Sequence, residues 1–106
     1  MSSLLKISIC DTIEGFHCVD GDDAEKIYAI LDEALAAGTR VELSFAQLQL
    51  VVTAFLNTAI GKLCAKYPAE KIRSEILFTD TTQTDRALIE RVIENAVKFY
   101  ANAKNA

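Results

Sequence analysis

His17 is the first residue to examine for catalytic chemistry, because imidazole exchanges protons near neutral pH more readily than other side chains. It is the only histidine in the chain, which excludes a metal site built from several histidines but leaves room for a single general base. Its place between Phe16 and Cys18, on a predicted strand, favours a structural or surface role.

Three cysteines are the next candidates, because a thiolate can act as a nucleophile, a redox centre or a metal ligand. Cys10, Cys18 and Cys64 make an odd count and lack the CxxC spacing of zinc and redox motifs. Cys10 and Cys18 would face each other across a predicted hairpin, so a redox pair remains the lesser alternative. We expect three reduced thiols in a cytosolic protein.

Acidic residues cluster before the first predicted helix, at Asp20, Asp22, Asp23 and Glu25. Hard cations prefer several oxygen ligands, but the twelve-residue calcium-loop pattern is absent from the sequence. Acids at a helix start also complement its dipole, and Asp22 with Glu25 resembles a capping box. Helix capping is therefore the favoured interpretation, and we predict no metal site.

Motifs that would indicate an enzyme are absent from the sequence: it contains no GxxxxGK[ST], GxGxxG or GxSxG pattern. We therefore expect no catalytic residues, no cofactor and no enzymatic activity. The remaining enzymatic alternative is a minor activity that uses His17 or Cys18, and it would require a cleft and perturbed pKa values.

Apolar spacing predicts the elements that would position these residues. The alternation of Leu5, Ile7 and Ile9 predicts a first strand. A second strand is predicted over residues 16–19, and it would form a hairpin with the first after a turn at 14–15. The following elements are predicted in order: a helix over 23–37 that stops at Gly38, a strand over 40–45, a helix from 53 to about 67, a strand over 76–79, and a long helix after a cap at 80–83.

The predicted order is ββαβαβα, which indicates the α/β class. Strands that alternate with helices imply parallel pairing through right-handed crossovers, and the hairpin would add an antiparallel strand and make the sheet mixed. We expect helices packed on this sheet and the strand over 40–45 at its centre. A chain of 106 residues with one proline and four glycines predicts a single domain over 1–106.

The net charge of −4 is concentrated in residues 11–33, which hold eight acids and one lysine, a local charge of −7. Basic residues are scattered along the rest of the chain, which argues against nucleic acid as a partner. The N-terminal apolar run is too short for a signal peptide or a membrane span. The sequence thus predicts a cytoplasmic protein with neither a nucleic-acid nor a membrane partner.

Residues 46–55 join a predicted strand to a predicted helix, and they carry no charge. Leu48, Leu50, Val51 and Val52 make this connection unusually apolar. Such residues suit a docking surface, and they equally suit packing beneath the first helix.

A family resemblance is carried by residues 41–45 (Val-Glu-Leu-Ser-Phe) and 53–63 (Thr-Ala-Phe-Leu-Asn-Thr-Ala-Ile-Gly-Lys-Leu). They are similar to the STAS-like domain family, bacterial domains of unknown function related to the anti-sigma factor antagonists. That pattern is a strand ending in an acid and a phenylalanine, then a small or hydroxyl residue before Phe-Leu-Asn/Glu and a hydrophobic-Gly-x-Leu ending. The resemblance spans roughly residues 17–100, and Ser44 departs from it where the family has an acid.

The resemblance implies a non-catalytic regulatory module that binds protein partners, among them histidine-kinase-like ATPases. In the related antagonists a serine at the start of the helix after the central strand is phosphorylated, and Thr53 and Ala54 match that position. An ordinary helix N-cap is the favoured interpretation of Thr53, with the phospho-acceptor as the alternative. We predict a surface for a partner protein or for self-association at Gln49, Leu50, Val51, Val52 and Phe55. The alternative function is a small-ligand or nucleotide sensor with a crevice at the strand ends.

Overall fold

The computed structural model describes the backbone over residues 4–105 and the side chains over 4–101. The strands are β1 (Leu4–Ser8), β2 (His17–Cys18), β3 (Arg40–Ser44), β4 (Leu50–Val51) and β5 (Ile76–Thr79). The α-helices are α1 (Ile9–Ile13), α2 (Gly21–Ala36), α3 (Thr53–Ala59), α4 (Ala69–Glu75) and α5 (Gln83–Asn105), and a 3₁₀-helix spans Gly61–Ala65. The expected α/β class is confirmed, whereas the order of elements is more complex than ββαβαβα.

A three-stranded parallel sheet forms the centre of the fold, in the order β1-β3-β5. Leu5 is paired with Val41, and Leu43 with Phe78. Val41 and Leu43 are fully buried, as alternation along a strand with one core face requires. The prediction that the strand over 40–45 is central is confirmed.

The predicted antiparallel hairpin is wrong, and with it the mixed sheet. After β1 the chain turns into α1, because Ser8 Oγ accepts a hydrogen bond from the Asp11 N–H (3.1 Å) and caps a short helix. Glu14 ends that helix with φ of 56°. Strand β2 therefore lies away from β1 and pairs with β4 in a separate two-stranded sheet, and all pairings among the described strands are parallel.

Helix α2 begins and ends where local chemistry dictates. Asp20 is the N-cap, and its Oδ1 accepts from the Asp22 N–H (2.7 Å), so the cap lies two residues before the predicted one. At the other end Gly38 adopts φ of +74°, and the Thr39 N–H donates to the Ala34 carbonyl (2.8 Å). This Schellman arrangement stops the helix at the glycine, as predicted.

The second predicted helix is divided into α3 and the 3₁₀-helix. Gly61 lies at the junction, where an added Cβ would stand 3.5 Å from a Val92 methyl carbon and 3.6 Å from the Ala96 Cβ of α5. The chain thus passes close to α5 at this position, at a distance at which an added Cβ would make ordinary van der Waals contact. The short helix α4, which follows Pro68, was not predicted.

One layer of helices covers one side of the three-stranded sheet. Helix α2 packs on β3, α3 packs on α2, and α5 packs on α3 and the 3₁₀-helix. The core between the layers contains large apolar side chains from both, including Ile27, Leu31, Leu43, Phe55 and Ile93. None of the described helices combines the length and the apolar character that crossing a membrane requires.

Candidate protein-binding surface

The two-stranded sheet joins two segments that are distant in sequence. His17 pairs with Leu50 and Cys18 with Val51. The Phe16 carbonyl accepts from the Gln49 N–H (2.8 Å), and the Cys18 carbonyl accepts from the Val52 N–H (3.2 Å). These bonds fix the uncharged connection beside the residues that precede α2.

The two faces of this small sheet differ, because neighbouring residues along a strand point to opposite sides. Cys18 is fully buried and Val51 is half-buried, and both pack against the core. Paired residues of parallel strands share a face, so His17 and Leu50 point outward together, and both are exposed. The sheet therefore has a core face and a solvent face.

Exposed residues on and beside this sheet form a group that we call the β2–β4 patch: His17 and Leu50 on its outer face, and Phe16 and Val19 at the two ends of β2. Phe16 is 47% exposed, Val19 52% and Leu50 49%. Single exposed apolar residues are ordinary in soluble proteins, but a local group of them marks a candidate interaction surface.

The start of α3 adjoins the patch, because Val52 follows β4 directly. Val52 is the N-cap, and no side chain caps the first turn. Thr53 is the first helical residue, so its interpretation as an N-cap is wrong. Thr53 and Ala54 are both exposed.

The residues predicted for a partner surface have different positions in the structure. Gln49 and Leu50 are exposed, whereas Val51 and Val52 are half-buried against the core. Phe55 is only 2% exposed because the core face of α3 packs on α2. Its side chain therefore belongs to the core and not to a surface.

Phe16, His17 and Val19 were not predicted as part of this surface. Their exposure depends on β2 pairing with β4, a contact between residues more than thirty positions apart. The sequence does show an apolar residue on each side of His17 and Cys18. The predicted hairpin, however, paired these residues with β1 instead of β4.

Exposed acids border the patch in sequence on both sides. Glu14 lies two residues before Phe16, and Asp20 directly follows Val19; both are exposed, as are Asp11 and Asp22. Ion pairs within the described part of the chain involve other carboxylates: Asp23, Glu25, Asp32 and Glu90. The border of the patch is therefore negatively charged.

Two acids of α2, Glu25 and Asp32, are engaged by the 3₁₀-helix and the residues after it. Lys62 Nζ lies 2.8 Å from Glu25 Oε1, and Lys66 Nζ lies 2.8 Å from Asp32 Oδ2. The Tyr67 hydroxyl also donates to Asp32 Oδ1 (2.9 Å). Hydrogen bonds from Lys66 and Tyr67 lower the pKa of Asp32, and the bond to Asp32 raises the pKa of Lys66. These acids thus have a structural role.

The thiols are placed where reactivity is low. All three cysteines are free. Burial, reinforced by the nearby Asp23 carboxylate, raises the pKa of the Cys18 thiol to about 12. Burial also raises the pKa of Cys64. A thiol with a raised pKa remains protonated at neutral pH and is a poor nucleophile. No metal-binding cluster of His, Cys, Asp or Glu occurs among the described residues.

The carboxyl ends of the strands are where the alternative ligand crevice was expected. There the Ser44 hydroxyl donates to Asp80 Oδ2 (2.6 Å) and links the ends of β3 and β5. A cavity of about 400 Å³ lies elsewhere, between the α3 region and α5, lined by Asn57, Gly61, Asn95, Ala96, Phe99 and Tyr100.

Comparison with known proteins gives a family. A search of curated proteins and a search of solved structures found no match to the chain. Residues 23–86 match the model of a family described as STAS-like domain of unknown function (DUF4325). The match covers β3, the connection to α3, and β5, and it is more than half of the chain. The chain therefore belongs to this STAS-like family.

Proposed function

We propose that the chain is a non-catalytic regulatory module that binds another protein through the β2–β4 patch and the adjoining start of α3. One observation carries the proposal: three large apolar side chains, Phe16, Val19 and Leu50, are each about half exposed on or beside one two-stranded sheet. Membership of the STAS-like family supports a regulatory role, because the resemblance described above relates such domains to the anti-sigma factor antagonists.

The energetic contribution of the patch is moderate. Burying a large apolar side chain completely contributes about 1.5–3 kcal/mol, and the three side chains are already half-buried, so they would contribute about 3 kcal/mol together. Association itself costs at least as much in lost translational and rotational freedom. Additional polar contacts around the patch must therefore supply part of the affinity.

The charges beside the patch indicate the chemistry of the partner. Asp11, Glu14, Asp20 and Asp22 are exposed, and residues 7–25 contain no lysine or arginine. A partner with an apolar centre and lysines or arginines around it would complement this border. A histidine-kinase-like ATPase is the candidate partner that the family resemblance suggests.

Thr53 is the candidate phospho-acceptor of this surface. Its side chain is exposed and does not cap the helix, so phosphorylation would require no capping bond to break. Ala54 has no hydroxyl group and would remain a contact residue. A phosphate at Thr53 would add about two negative charges to this surface, and it would weaken binding because the charges would have to be desolvated against the apolar centre of the partner.

Affinity capture with surface variants tests the proposal. Leu50→Asp places a charge in the patch, and Val97→Asp is the matched control because Val97 is also a partly exposed apolar residue, 40% exposed, on α5. We expect a partner that the parent chain and Val97→Asp retain and Leu50→Asp loses, with thermal stability unchanged in both variants. A partner that binds Leu50→Asp as well as the parent would exclude the β2–β4 patch.

The phosphorylation proposal has a separate test. The purified partner ATPase and ATP are incubated with the parent chain and with Thr53→Val, and modified residues are located by mass spectrometry. We expect one phosphate at Thr53 in the parent and none in the variant. Phosphate on another residue, or none in either chain, would contradict the role of Thr53.

A further inference from the structure

The three-stranded sheet has an open face. Each new strand of this sheet is placed on the same side of the strand before it, in the order β1, β3, β5. When parallel strands follow one another in this way, right-handed crossovers place all the connecting helices on the same face of the sheet. Contacts link α2, α3 and α5 into one layer, and the fully buried Val41 and Leu43 mark the face of the sheet that packs on the core. On the other face the described side chains are exposed or partly buried, and none is fully buried.

An open face is unusual for this kind of sheet, because purely parallel sheets are almost always covered on both sides. The open face carries the alternate residues of the three strands: Leu4, Lys6, Ser8, Arg40, Glu42, Ser44, Leu77 and Thr79. Two large apolar side chains lie exposed at its margins, Leu4 on β1 and Leu77 on β5. Another surface packed on this face would bury these two leucines and so be stabilised by their burial.

Charge on the open face differs from that of the whole chain. Lys6 is paired with Glu42 across β1 and β3, and Arg40 lies two residues before Glu42 on the same side of β3. The face thus carries two cations and one anion, while the whole chain carries −4. Two copies of this acidic chain would therefore repel each other less through this face than through the acidic surface of residues 11–33.

We infer that the open face is a contact between two copies of the chain, stacked sheet on sheet. A two-fold axis that crosses β3 between Arg40 and Glu42, perpendicular to the strands, places Arg40 of each copy over Glu42 of the other. Stacked sheets lie about 10 Å apart, a gap that a long arginine and a glutamate span together. The same axis places Leu4 over the aliphatic part of Lys6.

The size of the face predicts a weak dimer. Three strands about 4.8 Å apart, two of five residues and one of four, give a flat area of about 220 Å² per copy, compared with about 800 Å² per partner in a standard interface. Margin residues such as Leu77 enlarge the contact without reaching that size. We therefore expect monomers in dilute solution and dimers at high protein concentration.

Charge exchange between Arg40 and Glu42 tests this contact by sedimentation velocity, over protein concentrations up to about 1 mM. Arg40→Glu and Glu42→Arg each replace two attractive pairs per dimer with two repulsive ones, and we expect each to weaken self-association at least about tenfold. The double variant Arg40→Glu/Glu42→Arg restores both pairs and should dimerise as the parent does.

Mixing the two single variants gives a second, independent readout. One variant is acidic at both positions and the other is basic at both, so the mixture should form heterodimers although neither variant self-associates. Circular dichroism checks that each variant folds. If a charge-reversal variant does not fold, the neutral variants Arg40→Gln and Glu42→Gln take its place, and we expect them to weaken the dimer less than the reversals do.

Any one of the following results would overturn the inference. The parent could remain monomeric at about 1 mM, a concentration at which even a weak contact is populated. The single reversals could leave the dimer unchanged, or neither the double variant nor the mixture could restore it. Loss of the dimer in Leu50→Asp, with the reversals unaffected, would move the contact to the β2–β4 patch and would also overturn the open-face assignment.

Discussion

Leu43→Ala tests the one-sided architecture most directly, because Leu43 and Leu77 are leucines on opposite faces of the same sheet. Leu43 is fully buried at the centre of β3, whereas Leu77 on β5 is 55% exposed. Truncation of each leucine removes the same three carbon atoms. Any difference in the lost stability therefore reports which face is covered.

The expected magnitudes follow from burial. Three buried carbons contribute about 2.4 kcal/mol at about 0.8 kcal/mol each, and the cavity left behind adds about 1 kcal/mol, so Leu43→Ala should cost about 3–4 kcal/mol. Leu77→Ala should cost about 1 kcal/mol or less, because more than half of that side chain is already in water. A domain of this size has about 5–15 kcal/mol of stability, so both variants should fold.

Urea denaturation followed by far-ultraviolet circular dichroism measures the difference, at a protein concentration well below that needed for self-association. The midpoint for Leu43→Ala should fall far more than the midpoint for Leu77→Ala, with an unchanged slope. Equal midpoints for the two variants would refute the assignment of a covered and an open face.

Two further predictions concern the thiols and the ion pairs of α2. In native protein Cys18 should react slowly with an alkylating reagent, because burial raises its pKa to about 12, whereas all three cysteines should react in denaturant; a disulfide between Cys10 and Cys18 in fresh protein would contradict this. Asp32→Asn should lower the free energy of unfolding at neutral pH. Hydrogen bonds from Lys66 and Tyr67 lower the pKa of Asp32, so this stabilisation is present above the unfolded-state pKa of about 3.9 and is lost as the pH falls through the folded-state pKa. A stability difference that is the same at neutral and strongly acidic pH would refute it.

Elements with several residues of regular spacing could be predicted from the sequence. The central strand and the helix that ends at Gly38 have buried faces that match their apolar periodicity. Helix α5 was also predicted, but its start has a different cap: Thr82 Oγ1 accepts from the Asp85 N–H (3.0 Å), and the Thr82 N–H donates to Asp85 Oδ2 (3.4 Å). Local hydrogen-bonding chemistry thus moves a boundary by a residue or two without changing the element.

Elements that depend on distant contacts could not be predicted. Residues 9–13 have the alternation of a strand in their first part, but the cap provided by Ser8 makes them a helix. Strands β2 and β4 are only two residues long, too short for a period to show. Helix α4 buries a single residue, Ile72, so it has almost no apolar stripe.

The candidate surface could be predicted only in part for the same reason. Leu50 and Thr53 were identified from the uncharged connection and from the family pattern, and both are exposed. Phe16 and Val19 become neighbours of that connection only because β2 pairs with β4. Phe55 was predicted to lie on the surface and is buried instead, because α3 begins at Thr53 and directs the Phe55 side chain into the core.

The ion pairs between α2 and the 3₁₀-helix have a consequence for how fast a partner arrives. Lys62 and Lys66 offset the charges of Glu25 and Asp32 in the folded chain, so residues 11–33 together with these two lysines carry −5 instead of the −7 of the segment alone. The uncompensated acids include Asp11, Glu14, Asp20 and Asp22, so part of the remaining negative potential lies beside the β2–β4 patch and not along the middle of α2. A cationic partner diffusing toward the chain would be steered to that end, and its encounter rate would fall as added salt screens the field.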